Sequence, residues 1–110
     1  MSELKIITDE LLKFRDERDW AQFHNAKDLA IALNIESSEL LEQFLWRSAD
    51  GADIERVKEE LADILAYSLL LASKFGFDPI QIVQDKIKKN AINYPVDKAK
   101  VTAKKYTELE

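Results

Sequence analysis

The sequence predicts an all-α fold, a four-helix bundle assembled as a dimer or a dimer of dimers. Its 110 residues include only two Gly and two Pro, too few to punctuate a sheet with turns. Hydrophobic residues make up 46% and charged residues 34%, a balance that suits long amphipathic helices. Apolar residues also recur at helical spacing, as Leu4, Ile7, Leu11, Leu12 and Phe14 do near the start of the chain.

The first helix is expected from about Ser2 to Arg18, followed by the aromatic connector "DWAQFHN". Asn25 is placed to cap a second helix, because its side chain can accept from the free N–H groups of the turn that follows. That helix is expected to run to about Trp46. "RSADGAD" then breaks the pattern. Gly51 permits the turn, and Asp53 caps a third helix that runs to Phe75 and stops at Gly76. A fourth helix restarts at "FDPI", with Asp78 as cap and Pro79 in the first turn, and ends before Pro95. These elements form one domain over residues 1–110, with its core at about 2–95 and an arm from about 96 onward. Within the third helix, the run from Leu61 to Ala72 carries apolar residues in nearly every direction. Four helices of this size do not easily enclose such a surface, so a partner subunit is expected to cover it.

Composition narrows the function. With no Cys, disulfides and thiolate metal sites are excluded, which fits a cytoplasmic protein. No apolar run approaches the ~20 residues that span a bilayer, so no membrane association is expected. Net charge is −5 but segregated: residues 1–85 carry 18 acidic and 9 basic side chains, whereas 86–110 carry 3 and 7. An acidic body disfavours nucleic-acid binding, which needs a basic surface.

The acids themselves are patterned. "EELADILAYSLLLA" places three carboxylates at the front of an apolar stretch, and Asp63 lies inside it. Removing an ionised carboxylate from water is costly unless it is paired or bound to a cation, so Asp63 either points outward or has a purpose. Glu36 and Glu39 are three residues apart on the second helix, and Glu60 and Asp63 on the third. Residues at this spacing are neighbours on one helix face. A single such pair is usually a solvated face. Two pairs on opposed antiparallel helices would bring four carboxylates together, and Mg²⁺ is the hard, oxygen-seeking cation that suits them. Histidine-based metal sites fit poorly, since the chain has one His.

The stretches "ERDWAQFHNAKDLAIAL", "IESSELLEQFLW", "EELADILAYSLLLASKFG" and "KIKKNAINYP" together resemble the MazG-like, all-α nucleotide pyrophosphohydrolase superfamily, in particular its dCTP pyrophosphatase branch. The resemblance covers residues 15–106. E-x-x-E followed by E-x-x-D is a weak signature alone, but the W-x-x-x-H before it and K-N-x-x-x-Y-P after it make the combination specific. The resemblance implies Mg²⁺ held by Glu36, Glu39, Glu60 and Asp63, and cleavage of a nucleoside triphosphate to the monophosphate and pyrophosphate. Glu36 or Glu39 would orient or deprotonate the attacking water. It further implies a base pocket of Trp20, His24, Trp46 and Tyr67, and contacts to phosphate and sugar from Lys89, Asn90 and Tyr94. The implied assembly is a homo-oligomer whose subunits complete each other's sites.

Each of these side chains has a plainer role as well. Trp or Tyr at helical spacing is often core, a lone His is often a satisfied turn residue, and Lys86, Lys88 and Lys89 complement the C-terminal end of a helix. The other functional class open to the sequence is a non-catalytic helical oligomer that binds a nucleotide or a protein partner.

Overall fold

The computed structural model describes residues 2–109. Its described residues are helical with no strand, in the order α1 (Glu3–Glu17), α2 (Ala26–Glu42), α3 (Ile54–Phe75), α4 (Pro79–Asn93) and α5 (Val96–Ala99). Short 3-10 turns lie at Ala21–Phe23, Ala49–Gly51 and Tyr106–Glu108. The chain forms two compact units, Met1–Phe77 and Asp78–Glu110.

Local hydrogen bonding sets the ends of the helices. Ser2 caps α1 by accepting from the Lys5 N–H at 3.1 Å. The Asn25 side chain accepts from the Asp28 N–H at 2.8 Å, and Asp53 Oδ1 from the Glu55 N–H at 3.1 Å. Each cap satisfies a donor that the first helical turn leaves free. α3 stops at Gly76, whose φ of 72° is left-handed. There the Gly76 N–H reaches the Ser73 carbonyl and the Phe77 N–H reaches back to Ala72 at 2.9 Å, the paired bonds of a Schellman ending. Phe75 and Phe77 stack across this stop with centroids 5.4 Å apart.

In the second unit, Asp78 accepts from the Ile80 N–H at 2.9 Å and Pro79 occupies the start of α4. α4 ends at Asn93, with Tyr94 as its C-cap directly before Pro95. Proline disfavours helical geometry in the residue ahead of it. The expected arm contains a short helix and a turn, and Tyr106 meets Tyr94 edge-on at 5.9 Å.

α2 is shorter than its sequence pattern suggests. It ends at Glu42 rather than near Trp46 because the following N–H groups of Gln43, Phe44 and Leu45 bond three residues back, to Leu40, Leu41 and Glu42. That tightening unwinds the helix. Trp46 then takes a left-handed φ of 61°, which turns the chain toward α3.

In the first unit α3 packs chiefly on α2 and also on α1. The apolar core is small: Leu29 is 2% exposed, and Leu70 and Ala72 are also buried. Leu61 and Leu65 stay open on α3, so the chain by itself does not enclose that helix on most sides. No helix among the described residues is long and apolar enough to cross a membrane.

Gly76→Ala is expected to destabilise the fold by about 1 kcal/mol, the cost of a side chain in left-handed backbone. A lower urea midpoint at unchanged slope would show it, and an unchanged midpoint would remove the Schellman ending as a determinant of stability.

Candidate metal centre

The acids converge where α2 faces α3. Glu36, Glu60 and Asp63 each offer an oxygen within 4.8 Å of the others. The expected neighbours at i, i+3 are present on each helix, and the packing of α3 on α2 brings the two sets together. Glu39 stands beside this triangle, its carboxyl close enough to Glu36 and Glu60 to raise the pKa of both. Ser37 and Ser38, between the two glutamates, direct their hydroxyls to the carbonyls of Leu33 and Asn34 one turn back.

Burial falls on a different acid from the one the sequence singles out. Glu60 is 7% exposed and is the buried charged residue among those described. Asp63 is exposed within the chain. α3 is rotated so that Glu60 lies under α2 while Asp63 lies at the open edge of the triangle.

Glu36 Oε2 and Glu60 Oε2 are buried and have no hydrogen-bond partner. A buried carboxylate oxygen without a donor is costly. Its surroundings move the pKa accordingly. Burial first, then the adjacent carboxyls of Glu39 and Glu60 and the charge of Asp63, push Glu36 up to about 7. Burial also raises Glu60, against an opposing contribution from Glu36. Three oxygen donors, two with unsatisfied buried atoms, are the donor chemistry that a hard divalent cation takes.

Tyr67 lies one turn beyond Asp63 on α3. Its phenol pKa is raised by burial and then by the charges of Glu36, Asp63 and Glu39, which places it beside the acids. His24 closes the turn after α1 with Nδ1 buried and unpaired. Burial, with Arg15 and Lys74 nearby, lowers its pKa and favours the neutral ring. Trp20 packs edge-on against Phe14 at 5.8 Å and is 44% exposed. Trp46 stands almost entirely in solvent at 99% exposure. Lys89 and Asn90 are exposed on α4 in the second unit, where Tyr94 is half-buried.

A residue absent from the sequence-predicted set also faces the triangle. Arg56 Nη2 is 3.8 Å from Glu60 Oε1. The signal for it lies in the register, since Arg56, Glu60, Asp63 and Tyr67 follow one another at i, i+4, i+7 and i+11 on one helix face.

The MazG-like family model matches residues 31–109, which include all four carboxylates. This chain belongs to the MazG-like family. The MazG-like chain is 39% identical over 106 residues to human dCTP pyrophosphatase 1 and 37% identical over 105 to the mouse protein. Each of those alignments covers 88% of this chain and 62% of the relative, so the chain spans less than two thirds of their length. A pyrophosphatase from Archaeoglobus fulgidus has the same fold, with a TM-score of 0.80 and 38% identity over 86% of this chain and 94% of its own.

The raised pKa of Glu36 links stability to pH. Its native value near 7 lies above the ordinary 4.5, so the native state binds the extra proton between those values. Metal-free stability is therefore greatest below about pH 4.5 as far as this group is concerned, and is lost as pH rises through 7. In chelator, the melting temperature is expected to drop by several degrees between pH 5 and pH 8. Glu36→Gln should flatten that slope, and a divalent cation should restore the melting temperature at pH 8. Equal melting temperatures at the two pH values in chelator would contradict it.

Proposed function

We propose that this chain is a Mg²⁺-dependent nucleoside triphosphate pyrophosphohydrolase, acting on dCTP or a modified pyrimidine deoxynucleotide to release the monophosphate and pyrophosphate. The observation that carries the reading is the carboxylate triangle of Glu36, Glu60 and Asp63, with two buried unpaired oxygens, in a chain similar to proteins named dCTP pyrophosphatase. Glu36, Glu60 and Asp63 would hold the cation, with Glu39 adjacent. Bound there, Mg²⁺ supplies charge neutralisation for the phosphates.

The protein's own residues divide the remaining tasks. Glu36 or Glu39 orients the attacking water and accepts its proton. The water oxygen forms a bond to one of the two phosphorus atoms of the α–β anhydride, the bond from that phosphorus to the bridging oxygen breaks, and the monophosphate and pyrophosphate separate. Trp20 and Trp46 provide flat faces for a pyrimidine, and neutral His24 offers one ring N–H and one acceptor to its edge. Tyr67 closes the base side of the acids. The family resemblance is what supports a phosphate and sugar role for Lys89, Asn90 and Tyr94 of the second unit. The reaction places the protein in clearance of the cytoplasmic nucleotide pool.

A homo-oligomer, dimer or tetramer, belongs to this reading. Ile6, Ile7 and Phe14 on α1, and Leu61 and Leu65 on α3, are open apolar residues that such an interface would cover. Light scattering at micromolar concentration is expected to give a dimer or tetramer, and a monomer mass would refute this part of the proposal.

Incubation with canonical and modified dNTPs, followed by ion-exchange analysis, is expected to yield dNMP and intact pyrophosphate only when Mg²⁺ is present. Asp63→Asn should abolish turnover while changing the melting temperature little, because Asp63 lies at the exposed edge. Absence of turnover with every dNTP, or retained Mg²⁺-dependent turnover in Asp63→Asn, would count against the hydrolase. The first result would favour a non-catalytic binding protein.

A further inference from the structure

We propose that Arg56 is a phosphate-binding residue that takes the pyrophosphate end of the substrate at the carboxylate triangle. The inference rests on the hydrolase reading above. One face of α3 carries Arg56, Glu60, Asp63 and Tyr67. At 100° per residue these four positions fall within an arc of about 60°. They also form a series along the helix, with the base-side Tyr67 at one end, the acids in the middle and Arg56 at the other. The distance from Arg56 to Tyr67 along the axis is about 16 Å.

A purely structural role accounts poorly for Arg56. It lies in the first turn of α3, two residues after Ile54 begins the helix. The N-terminal end of a helix carries positive partial charge, so a cation there is disfavoured. Its partner Glu60 lies four residues later, and Arg before Glu is the weaker orientation of an i, i+4 pair. At 3.8 Å the contact is too long for a hydrogen bond. The Arg56 side chain makes no hydrogen bond among the described residues and is 57% exposed. Glu60, in contrast, keeps a buried Oε2 with no partner beside it. Arg56 thus brings five unused donors and a fixed charge to the edge of the acids.

Those are the attributes that recognise phosphate. A guanidinium presents its donors as a planar fork that matches two phosphate oxygens at once. With the nucleoside toward Tyr67 and the acids between, the terminal phosphates of a triphosphate reach the end of α3 where Arg56 stands. There the guanidinium offsets the charge that builds on departing pyrophosphate. It touches the leaving group, whereas the nucleoside monophosphate remains on the Tyr67 side.

Isothermal titration calorimetry of Mg²⁺-pyrophosphate and of dCMP into wild type, Arg56→Ala and Arg56→Lys separates the possibilities. Arg56→Ala is expected to weaken pyrophosphate binding by about tenfold or more, the usual worth of a charge-assisted contact. Arg56→Lys should recover part of that loss, because an ammonium keeps the charge but not the fork. Affinity for dCMP should be unchanged in both. Unchanged pyrophosphate affinity overturns the proposal, including the case in which only the Mg²⁺ activation constant moves, since Arg56 would then merely offset Glu60. Equal weakening of both ligands overturns it as well, as does no binding of pyrophosphate by wild type. The dNTP turnover assay on wild type stands apart from these readings. Absence of turnover with Arg56-dependent pyrophosphate binding would remove the hydrolase and leave the anion site.

Discussion

The Glu60 carboxyl is buried on α3 within 4.8 Å of oxygens from Glu36 and Asp63, and the arrangement of the first unit follows from what that burial requires. In the isolated chain burial favours the protonated carboxyls, and the pKa values of Glu36 and Glu60 both rise. A divalent cation meets the requirement differently, by supplying opposite charge to oxygens that have no donor. Burial and then the same local charge make Tyr67 a reluctant acid, and Arg56 is the positive group beside Glu60. One packing contact between α2 and α3 therefore decides the electrostatics of the whole site.

The rest of the unit holds that contact in place with modest means. Caps at Asn25 and Asp53 and the glycine stop at Gly76 fix where α2 and α3 begin and where α3 ends. Among the described residues, Leu29, Leu70 and Ala72 form the buried apolar core. Such a core is small for a domain that also has to bury a carboxylate. Association of subunits would supply the missing apolar burial, and it would do so on the helices that carry the acids. Whatever covers α3 would also set the dielectric around Glu60.

Several features were legible in the sequence because they depend on neighbours along the chain. The carboxylate pairs at 36/39 and 60/63 could be read from i, i+3 spacing, and the caps from side chains that reach a backbone N–H two or three residues away. The motifs carrying the MazG-like resemblance lie in the same local segments, and the family model covers residues 31–109. The end of α2 was not legible. Phe44, Leu45 and Trp46 continue an apolar helical pattern, yet three-residue hydrogen bonds and the left-handed Trp46 break the helix before them.

Sequence by itself determined that the chain is helical, where most helices start, and which acids share a face. These follow from hydrogen bonds and spacings that close within about one helical turn. Tertiary structure alone decided that Glu60, and not Asp63, is the buried carboxylate, that Glu39 stands outside the triangle, and that Arg56 faces it. Rotation of α3 about its axis is free as far as local sequence is concerned. Its packing against α2 and α1 sets that angle, and the angle chooses which side chains leave water.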